Sequence, residues 1–112
     1  MKIYHNPRCG KSRQTLALLE EKGNSPEIIR YLDTPPSKAE LQEILQKLEI
    51  PAEKLVRKNE KIFKENFKGK EYDEEGWLNL LVENPKLIER PIVINGNKAA
   101  IGRPPELVLE IL

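Results

Sequence analysis

The apolar positions along the chain fall into short runs with two different periods. Met1 to His5 reads as a short strand, stopped by the turn pair Asn6-Pro7. After Cys9, Leu16 and Leu19 share one helical face, Glu20 and Glu21 take the opposite one, and Gly23 stands where a C-cap falls. That spacing puts Cys9 at or just before a helix N-terminus. Pro26 to Leu32 predicts a second strand, ended by Asp33-Thr34-Pro35-Pro36. Leu41, Ile44, Leu45 and Leu48 then recur at i, i+3, i+4 and i+7, the signature of an amphipathic helix. Ser37 with Glu40 forms a capping box at its start, and it closes near Ile50-Pro51.

From Ala52 to Gly76 the chain is densely charged and reads as short helical pieces. Asp73 is positioned to cap a further helix that turns Trp77, Leu80 and Leu81 inward and finishes before Pro85. Ile92-Val93-Ile94 and Lys98 to Ile101 flank Asn95-Gly96, a strong hairpin signal. Arg103 to Leu112, with prolines in its first turn, predicts a C-terminal helix. The order is β-α-β-α, helix, then β-β-α. This predicts an α/β fold with a mixed sheet flanked by helices. It is the order of a thioredoxin-like domain with a helical insertion, at about residues 37–85, between its β-α-β half and its β-β-α half.

Composition adds bounds to this picture. A chain of 112 residues fits one domain, 1–112, able to bury a core without staples. Hydrophobic residues at 38% and charged residues at 33% indicate a soluble globular chain. A net charge of +1 gives no bulk attraction to nucleic acid or membrane, so neither is expected as a partner. Met1 to His5 turns polar at once, unlike a secretory leader, and no apolar run approaches the length of a membrane span. The single cysteine excludes an internal disulfide and a Cys-rich zinc site, so no metal is expected. A free thiol favours a reducing compartment, hence a cytoplasmic location.

That one thiol, Cys9, lies in "KIYHNPRCGKSR" among Arg8, Lys11 and Arg13, with the only histidine, His5, four residues before it. A lone cysteine is most often a small buried hydrophobe. Here the flanks are polar and basic, and the strand-turn-helix junction supplies unpaired amide donors and a partial positive charge. These favour a thiolate, and the same amides can receive an oxyanion. The motif is Cys-x-x-Ser, so no internal thiol can resolve a covalent intermediate and an outside thiol must. Ser12 either donates its hydroxyl to the sulfur or is an exposed residue of the first helical turn. His5 either tunes the thiolate or is structural. No phosphate-binding or dinucleotide-binding glycine pattern is present, and no bound cofactor is expected.

The blocks "YHNPRCGKSR", "IIRYLDTPPSKAEL", "LVRKNE", "RPIVINGNKAAI" and "GRPPE" resemble the glutaredoxin-linked arsenate reductase family, in the family's order, from about Ile3 to Leu112. The resemblance implies a thioredoxin-like fold and reduction of arsenate to arsenite. Cys9 matches the nucleophile; Arg57, Arg90 and Arg103 match the three arginines around the oxyanion. Pro91 matches the cis-proline beside the cysteine, and His5 and Ser12 match residues that influence the thiolate. It implies glutathione as co-substrate and glutaredoxin as electron donor. An isolated arginine is usually a surface or salt-bridged residue, but its planar fork suits a tetrahedral oxyanion. Three of them from distant segments make a local positive site in a nearly neutral chain. Arg8, Lys11 and Arg13 are left as supporting charge. Two other classes stay open: a thiol-dependent oxidoreductase of the monothiol glutaredoxin kind, and a regulatory binding protein of the Spx kind. Spx relatives often carry Cys-x-x-Cys, where this chain has Ser12.

Overall fold

Ile3, Tyr4 and His5 are all buried because their strand, β1 (Lys2–His5), lies inside a sheet. In the computed structural model, which describes residues 1–112, four strands run in the order β2-β1-β3-β4. β1 is parallel to β2 (Glu27–Arg30) and antiparallel to β3 (Ile92–Asn95), which pairs antiparallel with β4 (Lys98–Ile101). Ile3 thus faces Ile28 on one side and Val93 on the other. A parallel pair needs a crossover, and α1 (Gly10–Glu21) supplies it. This is the mixed α/β sheet of a thioredoxin-like fold, as the element order predicts.

The chain packs as two units, Met1–Pro35 with Arg90–Leu112, and Pro36–Glu89. In the first, Ile3 and Val93 from the sheet, Leu19 from α1, and Val108 and Ile111 from the C-terminal segment form the core. Each such apolar side chain contributes about 1.5–3 kcal/mol by leaving water. α1 ends at a glycine with positive φ, Gly23, whose N–H donates to Glu20 O while Asn24 N–H reaches Leu19 O.

Four details differ from the expectations. The face that α1 buries is Ser12, Thr15 and Leu19, with Leu16 only partly covered. Two polar residues fit there because each finds a hydrogen-bond partner. The second strand is shorter than Pro26–Leu32, because Asp33 and Thr34 N–H groups both turn back to Arg30 O. It is an edge strand, which leaves Ile28 48% exposed. The hairpin loop is Gly96-Asn97 rather than Asn95-Gly96, since Asn95 pairs with Lys98. Gly96 alone has positive φ, the arrangement of a turn with glycine at its first central position. The C-terminal segment Pro105–Ile111 is a 3₁₀ helix, not an α-helix. Its buried residues are Pro105, Val108 and Ile111, a three-residue spacing that lines up on one face only at three residues per turn.

The second unit is built from helices. α2 (Lys38–Leu48) has the full capping box: Ser37 Oγ accepts from Glu40 N–H and Glu40 Oε1 accepts from Ser37 N–H. Short helices follow at Ala52–Leu55 and α3 (Lys61–Asn66). α4 (Glu74–Glu83) is capped by Asp73, which accepts from Gly76 N–H. Leu41, Ile44 and Leu45 of α2 are buried, as are Trp77, Leu78, Leu80 and Leu81 of α4. A single β-bridge, Val56 to Ile88, ties the segment after Ala52–Leu55 to the residues that leave the unit. No helix is long and apolar enough to cross a membrane.

Candidate active site

Asn6 and Pro7 shape the loop that presents the cysteine. Asn6 Oδ1 accepts from Arg8 N–H and Asn6 O accepts from Cys9 N–H, both at 3.0 Å. The chain therefore reverses in four residues and enters α1 with Cys9 as its N-cap. Cys9 O takes the first helical bond, from Arg13 N–H, while its side chain makes no capping bond. Cys9 is partly exposed, and as the N-cap it adjoins the free amides of the first helical turn. An anion there meets backbone donors and the positive end of a 12-residue helix.

Behind this loop, His5 and Ser12 are joined. His5 Nδ1 and Ser12 Oγ are 2.6 Å apart, and Ser12 Oγ also accepts from Asn6 N–H at 3.0 Å. Ser12 is fully buried, so it is not an exposed first-turn residue; its hydroxyl ties the end of β1 to the start of α1. Burial, and then the charges of Arg30 and Arg13, lower the His5 pKa and favour the neutral ring. Arg13 itself reaches back over the loop, with Nη1 donating to Pro7 O at 2.9 Å. Arg8 and Lys11 are exposed.

Arg103 comes to the same sulfur from the far end of the sequence. Its Nη1 lies 3.7 Å from Cys9 Sγ and donates to Arg90 O at 3.2 Å. Arg90 is partly buried and is followed by buried Pro91, and the Arg90–Pro91 and Arg103–Pro104 peptide bonds are both cis. Cys9, Arg103 and the Arg90–Pro91 segment are thus gathered at one place. Arg57 belongs to the second unit. Its Nη1 is bonded to Glu60, its Nε lies 3.3 Å from Glu89, and its N–H donates to Leu87 O at 2.7 Å.

Two residues of this site escape the sequence reading: Thr15 and Gly102. Thr15 hydroxyl donates to Lys11 O at 2.8 Å and to Gly102 O at 3.3 Å. Gly102 N–H donates to Pro91 O at 2.9 Å. The available signal is the placement of Thr15 three residues after Ser12 and four before Leu19, on the face that turns inward.

The chain matches the ArsC family over residues 4–111. It is 51% identical to the uncharacterized protein YfgD of Escherichia coli (strain K12), an alignment covering 100% of this chain and 96% of that one. It is 50% identical to the arsenate reductase of Haemophilus influenzae, covering 98% of this chain and 97% of the other. Among solved structures, an arsenate reductase from Vibrio cholerae superposes with a TM-score of 0.93 at 47% identity, over 99% of this chain and 96% of that one.

Proposed function

The chain belongs to the ArsC family, and from that premise we propose that it is an arsenate reductase with Cys9 as its nucleophile. The observation that carries this reading is the 3.7 Å approach of Arg103 Nη1 to Cys9 Sγ at a helix N-terminus. A cation beside the sulfur and a row of backbone donors suit a tetrahedral oxyanion facing a thiolate that would otherwise repel it. The family resemblance assigns Arg90 and Arg57 to the same anion. Within its own unit, Arg57 commits Nη1 to Glu60 and Nε to Glu89. By the same resemblance, Pro91 lies beside the sulfur and the His5–Ser12 pair tunes it.

The family resemblance implies the cycle, and its electrons balance. The Cys9 thiolate attacks arsenic, and one arsenate oxygen takes up protons and leaves as water. Glutathione then attacks the adduct, a second arsenate oxygen takes up protons and leaves as water, and a cysteine–arsenic–glutathione species results. A glutaredoxin thiolate takes the glutathione away as a disulfide and leaves its electron pair on arsenic, which falls from As(V) to As(III). Water cleaves the remaining sulfur–arsenic bond and arsenite departs. The chain holds no second cysteine, so both electrons come from outside thiols. Glutathione is a co-substrate rather than a bound cofactor, and the whole cycle belongs in a reducing cytoplasm.

The experiment is arsenite production from arsenate by purified protein with glutathione and glutaredoxin, beside Cys9→Ser. The expected result is turnover that vanishes in the variant. Absence of turnover by the unmodified protein with its thiol intact overturns arsenate as substrate. A second reading, reduction of glutathione-linked disulfides in the manner of a monothiol glutaredoxin, is favoured by the single thiol of the Cys9-x-x-Ser12 motif. Deglutathionylation without arsenate turnover would select it.

A further inference from the structure

Gly102 leaves no room for a side chain. A Cβ there would meet Thr15 Oγ1 at 2.4 Å, and Thr15 Cγ2 and Pro91 Cγ at 2.9 Å each. The Gly102 peptide is wedged between α1 and Pro91, and both its polar groups are held, N–H by Pro91 O and carbonyl by the Thr15 hydroxyl. The next residue is Arg103, whose guanidinium spans Cys9 Sγ and Arg90 O. The connections close a ring: Cys9 caps α1, α1 carries Thr15, Thr15 holds Gly102, and Gly102 carries Arg103 back to Cys9.

A helical threonine commonly bonds the carbonyl four residues earlier, and Thr15 does so to Lys11 O. That bond fixes its rotamer but does not account for the shared donation to Gly102 O, nor for the close approach that only glycine permits. A fully buried hydroxyl with two carbonyl acceptors from different segments acts as a joint between them.

We propose that Thr15 is a positioning residue for the Cys9–Arg103 pair, holding the Gly102 peptide so that the guanidinium faces the sulfur. The inference rests on reading Cys9 as the nucleophile, and its test needs no arsenate. Cys9 is the only cysteine, so alkylation reads it alone. Its thiolate displaces iodide from iodoacetate, which is anionic, and from iodoacetamide, which is neutral. The ratio of the two second-order rate constants reports the charge beside the sulfur, and a general loss of stability affects both reagents alike.

Arg103→Gln should lower that ratio about fivefold, the effect of one unit charge at this distance in a water-like dielectric. Thr15→Val, which keeps the shape and removes the donor, should lower it about two- to threefold, while Thr15→Ser keeps the ratio of the unmodified protein. In the Arg103→Gln background, Thr15→Val should change nothing further. Thr15→Ala gives a second route to the same reading if valine prevents folding. An unchanged ratio in the donor-lacking variant that folds, or an equal drop in both backgrounds, overturns the proposal. If the ratios behave as expected while arsenate is not turned over, the clamp stands and only the substrate assignment fails.

Discussion

His5 Nδ1 and Ser12 Oγ lie 2.6 Å apart in a pair that joins the end of β1 to the first turn of α1. Ser12 also receives the Asn6 N–H, so one hydroxyl serves two buried or half-buried partners. Ser12→Ala strands both. The expected loss is about 2 kcal/mol, the cost of leaving buried polar groups unpaired. It should be visible as a lower denaturation midpoint at unchanged slope. A midpoint equal to that of the unmodified protein would show that the pair adds nothing to stability.

The same histidine gives the protein a pH dependence of known sign. Burial, Arg30 and Arg13 lower the His5 pKa, so below about pH 6.5 the unfolded chain binds more protons than the folded one. The stability that His5 contributes is complete above that pH and is lost as pH falls toward the folded-state value. His5→Gln should show a flatter decline in this window when unfolding free energy is measured at successive pH values. Parallel curves for the two proteins would contradict the assignment.

Arg103 makes two contacts with one nitrogen, to Cys9 Sγ and to Arg90 O. Lysine keeps the charge but not the planar fork. Arg103→Lys should lose about tenfold in kcat/KM for arsenate, and Arg103→Gln about a hundredfold, as expected for removing a preorganised cation from the reacting anion. Steady-state kinetics at saturating glutathione and glutaredoxin separate the two. Full activity in the lysine variant would reduce Arg103 to a point charge.

Gly102→Ala forces a methyl group into Thr15 and Pro91. Overpacking of this kind costs about 1–3 kcal/mol. Two of the three close contacts belong to Thr15, so Thr15→Ala in the same chain should recover part of the loss. Thermal unfolding of the single and double variants provides the comparison; additive losses would place the strain elsewhere.

The elements that the sequence made legible are those specified by neighbours. Ser37 and Glu40 cap α2 across three residues, and Leu41, Ile44 and Leu45 need only helical spacing to share a face. Cys9 at the start of α1 follows from the turn residues just before it. What stayed hidden depends on partners distant in the chain. Thr15 looks like a surface residue until Gly102, 87 positions later, arrives to bond it. Arg103 is legible only through the family resemblance of its block, since nothing in its own neighbourhood marks a sulfur 94 positions away. The 3₁₀ helix at Pro105–Ile111 was written in its three-residue spacing, but two prolines at its start point equally well to an α-helix.

The separation of 94 positions between Cys9 and Arg103 has a temporal side. Cys9 leaves the ribosome well before Arg103 does. β1 can pair with β2 early, yet it receives β3 only after the whole of Pro36–Glu89 has been made. Throughout that interval the thiol is present without the cation that will face it. The pairing of thiol and cation is therefore a late product of chain growth, and it waits for the segment that carries Arg103.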